Sequence, residues 1–235
     1  MLKNYMVGED MEGVMNLAEE LKNVELFSKI ETSKLEKIAQ SLKTKKFNKE
    51  ETVLHKGDAG TELCIVLSGS FRAVLIDEDG DEILLHRFGR YDIFGEFSLI
   101  DQKERAGTII ADEEASLCKI GREPFLRLMR EEPEVAITML QILVGRLRKA
   151  DELIESLAFL NVKERILKQL FDIAKENGEK NGSYIRIKKL THQEISSMIG
   201  ASRESVTKCM KILNLEGHVK MKGDNLYLKE PSLFY

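Results

Sequence analysis

The chain has 235 residues, of which 43% are hydrophobic and 32% are charged, and its formal net charge is −4. This composition is typical of a globular protein rather than a disordered or fibrous one, and the length suits one large or two smaller domains. No apolar run approaches the ~18 residues of a membrane-spanning helix, and residues 1–12 lack the apolar core of a secretory signal. We therefore expect a cytoplasmic protein that does not enter a membrane. The three widely spaced cysteines disfavour disulfides, metal sites and iron–sulfur clusters.

The charge is unevenly distributed along the chain. Residues 161–235 contain 14 Lys and Arg against 9 Asp and Glu, a balance of +5, whereas residues 1–160 have a balance of −9. Such a basic segment is either a solvated face or a module that binds a polyanion. The motifs within it must separate these two interpretations.

The first two thirds of the chain contain a helical pattern, a strand pattern and a second helical pattern. Leu and Ile at three- and four-residue spacing predict helices between Met11 and Leu42. Short β-rich runs separated by turn residues follow over 52–120, and Asp79-Gly80 between two of them predicts a hairpin. Many short strands at this spacing indicate an antiparallel sandwich or barrel.

A long helix is predicted from about Glu134. Its apolar residues recur at spacings of 4 and 3, which is the a/d stripe of a coiled coil over three heptads. The stripe either lies against its own domain or pairs with a second helix, and its charged flanks favour a dimer. The stripe consists of Ala136, Leu140, Leu143, Leu147, Ala150, Ile154 and Leu157.

Two short helices near the C-terminus form a predicted helix-turn-helix. The first, over 191–199, begins with a capping box of Thr191 and Glu194. Ser202 can cap the second, over 203–215, and a predicted β-hairpin, the wing, follows it. Cap, turn and wing together favour a DNA-binding module over a helix pair with a solvated face.

The second of these helices has a polar face suited to DNA bases. Arg203 can donate two bonds to a guanine edge, and Glu204 can accept from a cytosine amine in the major groove. Thr207 and Lys208 lie on the same predicted face. Other polar residues suit phosphates, which position a protein without specifying sequence. These candidates are Thr191, Ser202, Lys220 and Lys222.

The segment 190–213 resembles the winged helix-turn-helix of the cAMP receptor protein/FNR family. The matching residues are Gln193-Glu-Ile, Gly200, Ser202-Arg-Glu-Ser-Val206 and the basic residue Lys208. The resemblance implies that Arg203, Glu204 and Lys208 contact the bases of a TGTGA-type half-site, and it adds Gln193 to the DNA-binding residues. Lys208 stands where the family's cAMP receptors have Arg, so it lacks the bidentate fork.

A second segment, Phe94–Thr108, resembles the family's phosphate-binding cassette, F-G-E-x-(S/A)-L-(I/L)-x-x-x-x-R-(A/S)-A-T. A short helix predicted near Gly95 offers N–H groups to an anion. Arg105 can clamp a cyclic phosphate with charge-assisted bonds, and Glu96 can accept from a ribose hydroxyl. The alternative is a structural Glu–Arg bridge in a surface loop.

The resemblance also implies ligand contacts from the long helix. Aligning Leu157–Val162 with the end of the family's dimerisation helix puts Ala150 and Asp151 where cAMP receptors have a Thr–Ser pair that touches adenine. The same register puts Arg146 on an Arg that helps to hold the ribose-binding Glu. Ala150 cannot hydrogen-bond, whereas Asp151 can accept from the adenine amine or from a guanine edge. Both cAMP and cGMP therefore stay open.

The cassette departs from the family pattern at Gly107, where Ala is usual, and has Ala106 where bacterial cAMP receptors usually have Ser. Oxygen sensors of the family need an N-terminal cysteine cluster, and haem sensors replace the pair retained here as Gly95-Glu96. We therefore expect no metal, haem or iron–sulfur cofactor. The candidate ligand-binding residues are Gly95, Glu96, Phe97, Ser98, Arg105, Ala106, Arg146, Ala150 and Asp151.

The resemblance implies an α+β fold in three parts. These are a helical lead-in and a cyclic-nucleotide-binding-type β-roll (a jelly roll) over 1–130, a dimerisation helix over 131–160, and a winged helix-turn-helix domain over 161–235. The expected function is that of a bacterial, homodimeric transcription regulator controlled by cAMP or cGMP. Its expected partners are double-stranded DNA with a palindromic TGTGA-like site and RNA polymerase.

Two alternatives stay open. In the first, the DNA-binding role is the same but the pocket is vestigial and no ligand controls it. In the second, the chain is a cyclic-nucleotide module that gates a partner protein. An enzyme is disfavoured, since no nucleophile–base pair stands out in the sequence.

Overall fold

The computed structural model describes residues 8–78 and 80–229. The described chain divides into two compact units. The first contains the residues up to Leu75 together with His86–Leu147, and the second contains Ile76–Leu85 together with the residues from Arg148 onward. Each unit has a buried hydrophobic core of its own.

The first unit begins with helices, as the Leu and Ile spacing predicts. Their apolar faces carry Leu21, Phe27 and Leu35, which are fully buried in the core of this unit. The elements are α1 (Gly8–Lys22), a 3-10 helix (Glu25–Phe27) and α2 (Thr32–Ala39).

Eight strands then form two four-stranded sheets, with the orders β1-β8-β3-β6 and β2-β7-β4-β5. β3 pairs antiparallel with β6 and β8, and β7 pairs antiparallel with β2 and β4. Phe47, Phe71, Phe88 and Phe94 belong to one buried cluster of this part of the chain. The predicted antiparallel β-fold is confirmed. The strands are β1 (Lys43–Phe47), β2 (Thr52–Leu54), β3 (Glu62–Ser68), β4 (Phe71–Ile76), β5 (Glu82–Phe88), β6 (Ile93–Phe94), β7 (Thr108–Ala111) and β8 (Ala115–Gly121).

The hairpin between β4 and β5 forms where the sequence predicts it. The backbone N–H of Asp77 donates to the carbonyl of Asp81, and Gly80 takes a φ of +84°. Only glycine adopts this left-handed conformation without steric cost, which explains its place in the turn. Asp79, the other residue of the predicted turn signal, lies outside the described residues.

Helix α3 (Glu96–Asp101) follows β6, and α4 (Arg122–Glu131) follows β8. The long helix α5 (Pro133–Phe159) starts at Pro133, where the missing N–H of proline costs nothing. One face of its first turns is buried through Val135 and Met139. The predicted a/d stripe is largely exposed: Leu140, Leu147 and Ile154 each expose about three fifths of their surface.

The second unit contains the predicted helix-turn-helix. Thr191 caps α7 (His192–Ile199) in a complete capping box with Glu194, as predicted. Gly200 ends this helix in the left-handed conformation, with a φ of +61°. Ser202 then caps α8 (Arg203–Leu215) by accepting from the N–H of Ser205.

The wing belongs to a four-stranded sheet in the order β11-β12-β10-β9. Its two outer pairs are β9–β10 and β11–β12, both antiparallel. Among the residues that the structure describes, no helix has both the length and the apolar character of a membrane span. The remaining elements are α6 (Val162–Asn177), β9 (Glu179–Asn181), β10 (Tyr184–Lys188), β11 (Val219–Lys222) and β12 (Asn225–Lys229).

Candidate ligand site and candidate DNA-binding face

The turn from β6 into α3 brings a guanidinium group against backbone carbonyls. Arg105 donates from Nη1 to the carbonyl of Gly95 at 2.8 Å and from Nη2 to the carbonyl of Glu62 at 3.1 Å. Gly95 has a φ of +86°, and a Cβ there would lie 2.7 Å from Nη1. A Cβ at Gly60 would overlap the same side chain. Both glycines are therefore required by the space that Arg105 occupies.

The cassette keeps two buried polar atoms without a hydrogen-bond partner among the described residues. Arg105 is only 6% exposed, yet its Nε donates to nothing, and the hydroxyl of Ser98 is likewise buried and unpaired. A buried donor that lacks a partner costs about 1–3 kcal/mol, and more for a charged group. Such atoms mark a place where a bound group with acceptor oxygens would be stabilised.

The carboxylate of the cassette is held by the long helix. Glu96, 3% exposed, accepts from Nη1 of Arg146 at 2.5 Å through its Oε1 atom. Arg146 also donates from Nη2 to the carbonyl of Ile93 at 2.6 Å, and its guanidinium lies 5.1 Å from the centre of the Phe88 ring. Oε2 of Glu96 makes no hydrogen bond within the described part of the chain, so this oxygen can accept from a ligand hydroxyl.

The other predicted ligand-site residues are less enclosed. Phe97 and Ala106 are exposed, with about half of the Phe97 surface accessible. Ala150 and Asp151 are also exposed and lie four and five residues after Arg146 on α5. The structure thus brings Gly95, Glu96, Arg105 and Arg146 together, whereas it leaves Phe97, Ala106, Ala150 and Asp151 at accessible positions.

Sequence reasoning missed several groups around Arg105 and Arg146. The carbonyls of Glu62 and Ile93 have no side-chain signature, because any residue supplies a carbonyl. The Phe88 ring contacts Arg146 across a large sequence distance, which no local pattern reveals. Gly60 could have been found, since it closes the turn signal Lys56-Gly-Asp-Ala-Gly60.

The exposed face of α8 has the predicted composition. Arg203, Glu204 and Lys208 are exposed, whereas Val206 and Met210 are buried in the core of the second unit. Thr207 lies on the polar side at intermediate burial. This division leaves the charged side chains accessible to a partner.

The two predicted phosphate contacts at the helix starts serve as caps. The Thr191 hydroxyl donates to Oε2 of Glu194 at 2.9 Å and accepts from the Glu194 N–H at 3.1 Å. The Ser202 hydroxyl accepts from the N–H of Ser205 at 3.2 Å and donates to the Ser205 hydroxyl at 2.9 Å. Any phosphate contact by these hydroxyls must therefore share atoms that already stabilise the helices.

The remaining candidates, Gln193, Lys220 and Lys222, are exposed. The ammonium group of Lys220 lies 4.5 Å from the centre of the Tyr184 ring, which restricts its position. The imidazole of His192, which sequence reasoning did not single out, lies 2.9 Å from the Thr207 hydroxyl. In the sequence, the only indication for His192 is its position between Thr191 and Gln193, two predicted DNA-binding residues.

Comparison with known proteins finds two family models that match this chain. The family described as cyclic nucleotide-binding domain matches residues 44–132, and the Crp-like helix-turn-helix domain matches residues 164–233. The Cyclic AMP receptor protein of Thermus thermophilus is 31% identical over 181 residues, which cover 77% of this chain and 81% of that protein. The chain belongs to the CRP/FNR family of transcription regulators. It is a DNA-binding regulator with a cyclic nucleotide-binding domain.

Two further proteins are similar to the chain. The CRP-like cAMP-activated global transcriptional regulator of Mycobacterium tuberculosis is 29% identical over 206 residues, covering 87% of this chain and 92% of that protein. A c-di-GMP responsive global regulator from Xanthomonas campestris has the same fold, with a TM-score of 0.74 and 24% identity. That comparison covers 85% of this chain and 99% of the other.

Proposed function

We propose that this chain is a homodimeric, sequence-specific transcription regulator whose affinity for DNA is set by a cyclic nucleotide in the β-roll. The observation that carries the proposal is the unpaired Nε of the buried Arg105. A cyclic phosphate offers acceptor oxygens of opposite charge, which would remove the cost of this buried donor. Ser98, whose buried hydroxyl is also unpaired, would add a neutral donor.

The sugar and the base would be bound at the other side of the cassette. Oε2 of Glu96 is available to a ribose 2′-hydroxyl, and Arg146 fixes the carboxylate. Asp151 would accept from the exocyclic amine of the base, which both adenine and guanine carry. We therefore propose cAMP or cGMP as the effector. The c-di-GMP response of the Xanthomonas regulator makes that dinucleotide a third ligand to test.

Isothermal titration calorimetry with cAMP, cGMP and c-di-GMP tests the ligand site. Arg105→Gln should lower the affinity for the bound nucleotide at least about tenfold, since bonds to charged groups contribute about 1.5–3 kcal/mol. Lys103→Gln removes the same charge from an exposed position of the same loop and should leave the affinity unchanged. If none of the three nucleotides gave a heat of binding, the result would favour the vestigial, ligand-independent pocket.

On the DNA side, we propose that Arg203, Glu204 and Lys208 contact base edges of a TGTGA-like half-site. Thr191, Ser202, Lys220 and Lys222 would contact phosphates, and Gln193 is added as a DNA-binding residue on the family resemblance. Two such half-sites in a palindrome match a dimer whose recognition helices lie about 34 Å apart. RNA polymerase is proposed as a further partner on the family resemblance alone.

The dimer would form through the exposed stripe of α5. Because Ala150 and Asp151 lie on this same helix, a nucleotide that touches them would also change the state of the dimer seam. The nucleotide would shift an equilibrium between two arrangements of the DNA-binding units. Its effect can be no larger than its difference in affinity for those two states.

Fluorescence anisotropy with a labelled TGTGA palindrome tests the base contacts. Arg203→Ala should weaken binding about tenfold to a hundredfold, because a bidentate contact to a base contributes about 1–3 kcal/mol. Arg127→Ala removes an equal charge from an exposed position of α4 and should have no such effect. Unchanged binding by the Arg203 variant would instead favour a module that gates a partner protein.

A further inference from the structure

We infer that Thr207 recognises a thymine through its methyl group and that His192 is the positioning residue that holds this methyl outward. The inference rests on the proposed DNA-binding function and adds a base-specific contact to it. Thr207 lies four residues after Arg203 and three after Glu204 on α8, so it belongs to the same helix face. Its side chain is half-buried at the edge of that face.

The hydrogen bonds of the Thr207 hydroxyl determine how it is oriented. The hydroxyl donates its one hydrogen to the carbonyl of Arg203, at 2.8 Å. The same oxygen lies 2.9 Å from Nδ1 of His192. With the hydroxyl hydrogen on the Arg203 carbonyl, the oxygen accepts from His192 in the tautomer whose Nδ1 carries the hydrogen.

These two bonds fix the Thr207 side chain in one rotamer. Threonine has two branches on Cβ, so a hydroxyl held against Arg203 and His192 also fixes the direction of the methyl group. The hydroxyl can no longer donate to a base. The apolar branch is left for the partner, and the apolar group that DNA presents in the major groove is the C5-methyl of thymine.

His192 and Thr207 belong to different helices of the helix-turn-helix. His192 is the first residue of α7, whereas Thr207 lies in the second turn of α8. Their hydrogen bond therefore ties the start of α7 to the base-contacting part of α8. If His192 is removed, Thr207 loses one of the two bonds that select its rotamer, and the methyl is no longer held toward the DNA.

The test replaces each thymine of the half-site by uracil, one at a time, and measures affinity by anisotropy. Uracil lacks only the methyl, so the wild-type protein should bind about fourfold more weakly at one position, the value expected for one buried methyl-sized group. Thr207→Ser keeps the hydroxyl without the methyl and should show no difference between thymine and uracil at that position. Thr207→Val carries methyl groups on both branches and has one strongly preferred rotamer in a helix without any hydrogen bond, so it should retain the difference.

The same ratio tests His192. His192→Ala should reduce the thymine-to-uracil preference toward one, and His192→Asn, whose amide nitrogen can occupy the place of Nδ1, should restore it. If His192→Ala weakened both duplexes equally and kept the ratio, the positioning role would be refuted. An unchanged ratio in Thr207→Ser at every thymine would refute the methyl contact. Failure of the wild-type protein to bind any duplex would instead refute the proposed function.

Discussion

At the scale of single residues, the ion pair between the buried Glu96 and the partly buried Arg146 connects the cassette to α5. Breaking a buried ion pair from one side typically costs about 3–5 kcal/mol, because it leaves one uncompensated charge in the interior. The sequence suggested both residues through the family resemblance. It could not show the Ile93 carbonyl that completes the site, because a carbonyl has no sequence signature.

We expect Arg146→Met to lower the free energy of unfolding by about 3 kcal/mol, since it strands the Glu96 carboxylate. The double variant Glu96→Gln/Arg146→Met should recover a large part of this loss, because Glu96 no longer leaves an unpaired charge in the interior. Urea denaturation of the wild-type protein, both single variants and the double variant measures the coupling. Additive losses would show that the two side chains do not depend on each other.

The cysteines give a second prediction at this scale. Burial raises the pKa of the Cys64 thiol and of the Cys118 thiol to about 12. Both stay protonated in the folded chain at pH 8, whereas Cys209 is only half-buried. A chromogenic disulfide reagent should therefore label one thiol in the native protein and three after denaturation. Labelling of all three in the native state would contradict the burial.

The same shifts have a consequence for stability. Unfolded cysteines ionise near pH 8.5, while the folded thiols of Cys64 and Cys118 keep their protons up to about pH 12. The folded state therefore binds more protons in this window, and these two groups make the protein less stable as the pH rises through it. Thermal unfolding of wild type and Cys64→Ser/Cys118→Ser between pH 8 and 10 should show a steeper decline for the wild type.

At the scale of elements, strands without an apolar pattern are not predicted from the sequence, and the alternating β10 is missed as well. β1 has four exposed residues out of five, and pairing with β8 forms it rather than its own composition. The fully exposed β9 contains no apolar residue, and it forms by pairing with β10 across the turn at Gly182. Such edge strands depend on a partner strand, which a local pattern does not contain.

Helices are predictable where the residues that start them lie close together in the sequence. α7 and α8 were predicted with their caps, because Thr191, Glu194 and Ser202 act within three residues of the helix start. α4 was not predicted. It begins after Gly121, whose conformation is extended and which offers no side-chain cap, so only the weaker signals of Glu123 and Pro124 in the first turn marked its start.

The turn that contains Gly60 gives a prediction at this scale. Gly60→Ala should displace Arg105, since the added Cβ would overlap its side chain. We expect a loss of nucleotide affinity of at least about tenfold together with about 1–3 kcal/mol of stability, the usual cost of overpacking. Gly89→Ala serves as the control, because its Cβ would lie 3.9 Å from the nearest side-chain atom. If calorimetry showed equal nucleotide affinities for Gly60→Ala and the wild type, the proposed contact between Arg105 and the nucleotide would be contradicted.

At the scale of the whole molecule, the uneven charge and the exposed stripe of α5 bear on assembly. The basic balance lies in the part of the chain that matches a DNA-binding family, and the acidic balance lies in the part that contains the cyclic nucleotide-binding domain. The stripe on α5 has the a/d spacing of a coiled coil, yet it is exposed in the single chain. A second copy of the chain would bury it.

Sedimentation equilibrium tests this assembly. The wild-type protein should have twice the chain mass of 26.8 kDa, and Leu147→Glu should have the mass of one chain, since it places two carboxylates opposite each other in the seam. Leu215→Glu introduces the same charge at a residue that is 85% exposed but lies outside the stripe, and it should remain a dimer. A dimeric Leu147 variant would place the interface elsewhere.

In the proposed function, a nucleotide bound by the sensor changes the affinity for DNA. The direct measurement is an anisotropy titration of the TGTGA palindrome, at one fixed salt concentration, without nucleotide and with saturating cAMP or cGMP. We predict that one of the two strengthens binding at least about fivefold, the lower range of allosteric coupling, and that Arg105→Gln abolishes this increase without changing the nucleotide-free affinity. Equal affinity with and without each nucleotide would contradict the claim.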